Sequence, residues 1–310
     1  MAGGRSSNEV KGPGSSNAQW TLWQLCDSGL PTGGFAHSGG LEAAAAQGIV
    51  KAKHTGSLLR FVRGVLANAA SLQLPLVMAA FRGETLDAWV EVDSVAHACI
   101  TGEAARRASL AQGAGLLRAA QAMFPLGEHC GQMIGEFRGL VRGAAAFPVP
   151  PPPPPPPPHT HFSSSVVLLI VRPAATENEA TAPGSARRVA RGHHAPAFGV
   201  VCRALGIETS QAMRAFMFLV ARDVLSAATR QDRPLEAGRL MNGLSGFTET
   251  LVVAQEGGAG AGVLETARKA EGQVSTERGV GVESYVCQVD PVQDIVQGLH
   301  DRLYSRMFNS

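Results

Sequence analysis

Pro150–Pro158 is an unbroken run of nine prolines. Each proline fixes φ near about −65° and lacks a backbone N–H, so the run adopts polyproline II and joins neither a helix interior nor a sheet. A chain that carries it must fold around it. The neighbouring stretch, "SSSVVLLIVRPAATENEATAPGSARRVARGHH", holds one short β-like run inside low-complexity sequence. We therefore read 148–195 as an inserted, Pro-rich, mostly disordered segment. The packed fold must then come from 19–147 and 196–310, with residues 1–18 as a Gly- and Ser-rich disordered tail.

Both parts read as helix. Leu58, Leu59, Val62, Val65, Leu66 and Ala69 keep the i, i+3, i+4, i+7 spacing of one helix face. "WTLWQLCD" places Leu22, Leu25 and Cys26 together, and Pro75 suits the first turn of a further helix. "TLDAWVEVDSVAHACI" reads as another helix. The next opens at Thr101 and Glu103 and closes at Pro125 and Gly127. Beyond the insertion, two helices meet at Gly206, with Thr209 or Ser210 as cap of the second. Residues 256–282 read as a Gly-rich linker. An amphipathic helix starts after Asp290-Pro291, and the chain closes in an aromatic, basic tail. No alternating strand pattern is present. The expectation is an all-α, multi-helix single domain interrupted by the proline-rich insertion.

Several function classes are disfavoured. Lys and Arg total 27 against 25 Asp and Glu, a net charge of +2, which does not predict a nucleic-acid binder. The excess lies in 148–195, where Arg172, Arg187, Arg188 and Arg191 oppose Glu177 and Glu179. Five scattered cysteines form no C-x-x-C and suit a reducing compartment. The N-terminus has no apolar signal core, and Val166–Val171 is too short to span a bilayer, so a cytoplasmic protein without membrane contact is expected. P-loop and H-E-x-x-H patterns are absent. His159, His161, His193 and His194 fall in the insertion and read as solvated. Cys26, Cys99 and Cys202 read as core thiols. No metal ligand, catalytic residue or cofactor is assigned.

One stretch resembles a catalytic motif. Ala36-His37-Ser38-Gly39-Gly40 is one methyl from the G-x-S-x-G nucleophile elbow. An elbow needs a buried strand before the serine, and "LPTGGF" cannot supply one. The simpler reading is a Gly-rich turn whose Ser38 caps "GGLEAAAAQG", a helix closed at Gly48. In that reading the glycines and Phe35 shape and pack the turn, and His37 and Glu42 are its exposed residues. A serine hydrolase using Ser38 stays as one alternative. An adaptor whose proline run binds SH3- or WW-like domains is another.

The same stretch carries a family resemblance. Leu30, Pro31, Gly33, Phe35, Ser38, Gly40, Leu41 and Glu42 match the Leu-Pro-x-Gly-x-Phe-x-x-Ser-x-Gly-Leu-Glu signature of the urease accessory protein F family. "EAARRASLAQGAGLL", the helix pair at 198–230 and "HDRLYSRMFNS", with Met307 where the family has Leu, resemble three further family blocks in order. The wording is closer to plant and algal members. The resemblance implies a non-catalytic helical protein that binds accessory protein D, called H in some bacteria. The pair recruits the GTPase accessory protein G and docks on apo-urease. Nickel would be handled by the assembled complex and GTP bound by the partner, so this chain needs no cofactor. A homodimer within the complex is implied. The residues singled out for partner binding are Glu42, Arg222, Asp223, Arg230, Tyr304, Ser305, Arg306 and Phe308. Pro31, Gly33, Phe35, Ser38, Gly40 and Leu41 form the structural motif. The chain departs from the family in the insertion, in "QDRPLEAGRLMNGLSG" and in the linker.

Overall fold

The structure, a computed structural model, describes residues 14–52, 54–145, 189–231, 234–257, 289–303 and 306–309. Among these no strand occurs, so the all-α expectation holds. The helices are α1 (Gly14–Cys26), α2 (Leu41–Ala46), α3 (Thr55–Asn68), α4 (Leu74–Arg82), α5 (Leu86–Cys99), α6 (Glu103–Met123) and α7 (Glu128–Ala145). After the insertion come α8 (His194–Ala204), α9 (Thr209–Arg230), α10 (Pro234–Glu256) and α11 (Pro291–Leu299). The proline run lies outside the described residues, as do 1–13 and 258–288.

The core is built around α8. Ala197, Phe198, Val200, Val201 and Cys202 are all buried, and α8 packs on α4, α6 and α9. Two glycines permit that closeness. A Cβ at Gly199 would strike the Val77 carbonyl of α4, and one at Gly113 of α6 would strike the Gly192 carbonyl just before α8. Small residues bring the backbones within reach, and Phe198, Phe216 and Leu117 fill the space beside them. The helical run Thr55–Arg82 is long and apolar enough to cross a membrane by length and composition. Here Leu58, Val62, Leu66, Leu74, Leu76 and Val77 are buried in this core. A π-helical turn, Ala69–Gln73, joins α3 to α4 just before Pro75. Pro75 has no N–H to complete an α-helical ladder, which suits a local widening there.

The chain re-enters the fold earlier than the sequence suggests. His193 and His194, read as solvated, are packed inside. His193 is 0% exposed, and α8 begins at His194. The cause is Asp93 of α5, whose buried carboxylate accepts N–H bonds from Arg191 (2.6 Å), Gly192 (3.1 Å) and His193 (2.7 Å). His193 then meets Ser109 of α6 through Nδ1 (3.1 Å) and His97 of α5 through Nε2 (3.0 Å). None of these partners is adjacent in sequence, so no local pattern announced them. Local caps also differ. Gly40 at φ 85°, not Ser38, starts α2, since only the glycine turns the backbone left-handed there. Glu208 precedes α9 without a side-chain cap, and Gly102 precedes α6. Thr101 instead donates to Asp294 (3.2 Å). The helical start at Gly14 and the run of α10 to Glu256 extend helix into stretches read as tail and linker.

Asp93→Ala leaves three N–H groups at the re-entry point without their acceptor. We expect it to cost about 3 kcal/mol or more in urea unfolding, and Asp93→Asn, which keeps one carbonyl acceptor, to cost less.

Candidate docking site

Residues 30–42 form a compact turn that lies on the C-terminal end of α9. A short 3₁₀ turn, Gly34–Ala36, sits so close to α9 that any side chain at Gly34 would meet the Asp223 carboxylate. Ser38 and Leu41 are buried and Pro31 is exposed. The exposure pattern reverses the expectation for two residues. Phe35 is 65% exposed, whereas His37 is buried. The reason is on α9: the Arg230 guanidinium lies 3.7 Å from the Phe35 ring centroid, which holds the ring at the surface rather than in the core.

The C-terminal tail closes over this turn. The Glu42 carboxylate accepts N–H bonds from Met307 (2.5 Å) and Phe308 (3.2 Å). Asn309 N–H donates to the Ala36 carbonyl (2.8 Å), and the buried His300 ring contacts the Phe308 carbonyl (3.1 Å). Phe308 is buried, with Arg230 also 4.4 Å from its ring centroid. Arg230 thus spans two aromatic rings that are 273 positions apart in sequence. Arg306 stays outside, 3.2 Å from Asp301, which pairs with Arg107 of α6 (2.7 Å). Tyr304 and Ser305 lie outside the described residues.

Arg222 and Asp223 face inward. Arg222 forms a two-point contact with Asp223 Oδ1 (3.0 and 2.7 Å) and donates to the Cys26 carbonyl of α1 (2.8 Å). Burial raises the Asp223 carboxyl, while Arg222 and Arg230 pull it back. This pair braces α1, α9 and the turn. The outward surface is made instead by Phe35, Arg306 and Met307, all exposed, with Arg230 beneath. Of the eight residues expected to bind partners, Glu42, Arg230 and Phe308 hold the tail onto the turn and Arg306 fringes it. Met307 and Phe35 are the outward apolar groups that sequence reasoning did not assign to a partner.

A profile of the family described as UreF matches residues 52–233. Urease accessory protein F of Arabidopsis thaliana is 32% identical over 298 residues, covering 96% of this chain and 94% of that protein. Urease accessory protein F of Oryza sativa subsp. indica is 32% identical over 291 residues, covering 93% and 84%. Urease accessory protein UreF of Paenarthrobacter aurescens (strain TC1) is 28% identical over 218 residues, covering 70% and 73%. The chain belongs to the UreF family.

The matched region of this UreF-family chain spans the insertion and stops short of both the Gly-rich turn and the tail. Those two parts meet only in three dimensions. Beside them a cavity of about 160 Å³ is bordered by His37, Ser109, His194, Asp223, Gln293 and Gln297. Gln293 Oε1 is buried there without a hydrogen-bond partner. Among the described residues, no group of three or more His, Cys, Asp or Glu is placed to hold a metal ion.

Neither serine meets the needs of nucleophilic catalysis. Ser38 is 0% exposed. Ser109 does face a histidine that a second histidine orients. However, burial, with the charges of His97, Arg106 and Arg191, depresses His193 to about 3. His97 is pushed down to about 4 by burial, then by Arg191 and Arg106. A triad base must accept a proton and have its imidazolium stabilised. Here the neighbouring charges oppose that ion, so the Ser109–His193–His97 chain is a structural one.

Two measurements probe this arrangement. Glu42→Ala removes the acceptor of two tail amides, and we expect hydrogen exchange at Met307 and Phe308 to quicken about tenfold while core amides stay protected. His97, His193 and His194, the last held at about 4 by burial and Arg222, all bind protons less readily folded than unfolded. Their contribution to stability is therefore complete above about pH 6.5 and falls as pH drops towards about 4. His193→Gln flattens that slope in acid-unfolding curves.

Proposed function

We propose that this chain is a non-catalytic urease accessory protein that bridges accessory protein D and the GTPase accessory protein G during urease maturation. Membership of the UreF family supports the role in urease maturation. The observation that carries the finer reading is the composite surface made by turn 30–42, the end of α9 and the C-terminal tail. Its parts are distant in sequence, yet Glu42 and Arg230 hold them in one piece. Exposed Phe35 and Met307 beside Arg306 give this surface the Phe, Met and Arg side chains that are enriched at protein interfaces.

In this reading the tail is a docking element already folded onto its own body. Protein D meets Phe35, Arg306, Met307 and the flanking Tyr304 and Ser305. The Arg222–Asp223 pair supports that face from beneath and makes no direct contact. Apo-urease and protein G join through the assembled complex, which handles nickel, while GTP stays on protein G. The chain needs no cofactor of its own, acts in the cytoplasm and works as a homodimer within the assembly. The serine-hydrolase alternative has no support from a buried Ser38. The proline run of the adaptor alternative lies outside the described residues.

Co-expression with protein D from the same source, then gel filtration with light scattering, tests the proposal. We expect a mass near two copies of each chain, lost on deleting 301–310 and weakened about tenfold or more by Arg230→Ala, which unseats both rings. A folded chain that ignores protein D would overturn it.

A further inference from the structure

Arg118 of α6 and Arg138 and Arg142 of α7 converge on one face of the α6–α7 hairpin. Arg138 Nη1 donates to Gln121 Oε1 (2.5 Å), which ties its side chain across to α6. Arg118 stands three residues before Gln121, and Arg142 four after Arg138, so each shares a helix face with one end of that bond. The like charges are felt. The Arg138 guanidinium is held below its ordinary range by burial, then by Arg142 and by Arg118. Several arginines elsewhere are compensated. Arg106, Arg107, Arg203, Arg214 and Arg222 each stand within 4 Å of a carboxylate. Among the described residues, none of the three hairpin arginines has an ion pair. Arg118 and Arg142 are exposed.

We infer that this face docks a carboxylate-bearing segment of another protein. Arg138 and Arg142 rise about 6 Å from each other along α7, the step between carboxylates at i and i+4 of an acidic helix. Guanidinium groups take carboxylates two-point, and a partner that supplies them relieves the repulsion at Arg138. Nucleic acid fits less well. The basic face is short, α7 also carries Glu128 and the exposed Glu136, and the whole chain has a net charge of only +2. The face is on α6 and α7, whereas the surface proposed for protein D is built from turn 30–42, α9 and the tail. The two are thus separable.

The full chain is titrated into a fluorescein-labelled helical peptide with glutamates four residues apart, read by anisotropy. We expect saturable binding at low salt that weakens about tenfold in Arg118→Glu/Arg142→Glu and again as salt is raised. Arg239→Glu on α10 leaves it unchanged. The double variant removes the like-charge repulsion at Arg138, so its melting temperature should equal or slightly exceed the parent's and a loss of binding is not a loss of fold. Arg118→Gln/Arg142→Gln is the second variant: it removes attraction without adding repulsion and should show the same loss. Unchanged binding in both variants overturns the inference. So does a single-stranded RNA oligonucleotide that binds more tightly than the peptide, or a dimer of the chain that the double variant dissociates. Each of these outcomes leaves the light-scattering result with protein D unaffected.

Discussion

The carboxylate of Asp93 decides how an interrupted chain closes one core. Three backbone N–H groups arrive together at residues 191–193, where the chain returns to the fold, and a buried backbone donor without an acceptor is costly. Asp93 supplies all three bonds from the middle of α5. Burial raises its carboxyl, and those N–H bonds draw it back. With the return fixed there, His193 falls between Ser109 and His97, and α8 begins in register with the glycines that let it approach α4 and α6. The length of the insertion then matters little to the core, because loop closure costs only slowly more as a loop grows.

The C-terminal arm is held by a different kind of contact. Asn68 of α3 accepts from Val289 and Asp290 and donates to the Asp290 carbonyl, while Arg107 holds Asp301 and Glu42 holds the tail amides. Apolar burial contributes through Val296 and Phe308. Among the described residues, the buried side-chain polar atoms without a hydrogen-bond partner, Arg230 Nη2, Gln293 Oε1 and His300 Nδ1, all belong to this seam, and His300 Nδ1 lies 3.9 Å from the Glu42 carboxylate. A seam that is polar and incompletely satisfied is weaker per contact than the α4–α8 packing.

The helices around 58–69, 103–123 and 209–230 were legible because burial acts on one face and leaves a 3.6-residue period in the sequence. The Gly-rich turn was legible through its positive-φ glycines. The inside of the turn was not. Phe35 reads as a residue that packs the turn, yet it lies outside because Arg230, far along the chain, offers its ring a cation. His193 and His194 read as insertion because proline and low complexity dominate their neighbourhood, while the groups that bury His193 sit on α5 and α6 and the rings against His194 are Phe198 of α8 and Phe216 of α9. Glu42 was recognisable as a residue of interest from the family signature, but its bonds to the tail amides were not. Hydrogen bonds between elements leave no periodic trace.

Helix α6 joins these two systems mechanically. Ser109 receives the returning chain at His193, and Arg107, two residues earlier, pairs with Asp301 of the arm. Helical positions i and i+2 point to different sides, so one turn of α6 can hold both without competition. Gly113, one turn further on, admits the Gly192 backbone. Gly115 does the same for the Thr32 backbone in the N-terminal turn. A displacement of α6 therefore reaches the insertion's return, the Gly-rich turn and the tail together. The block "RRASLAQGAG", which resembles the family's central helix, is the stretch of α6 where all three contacts are made.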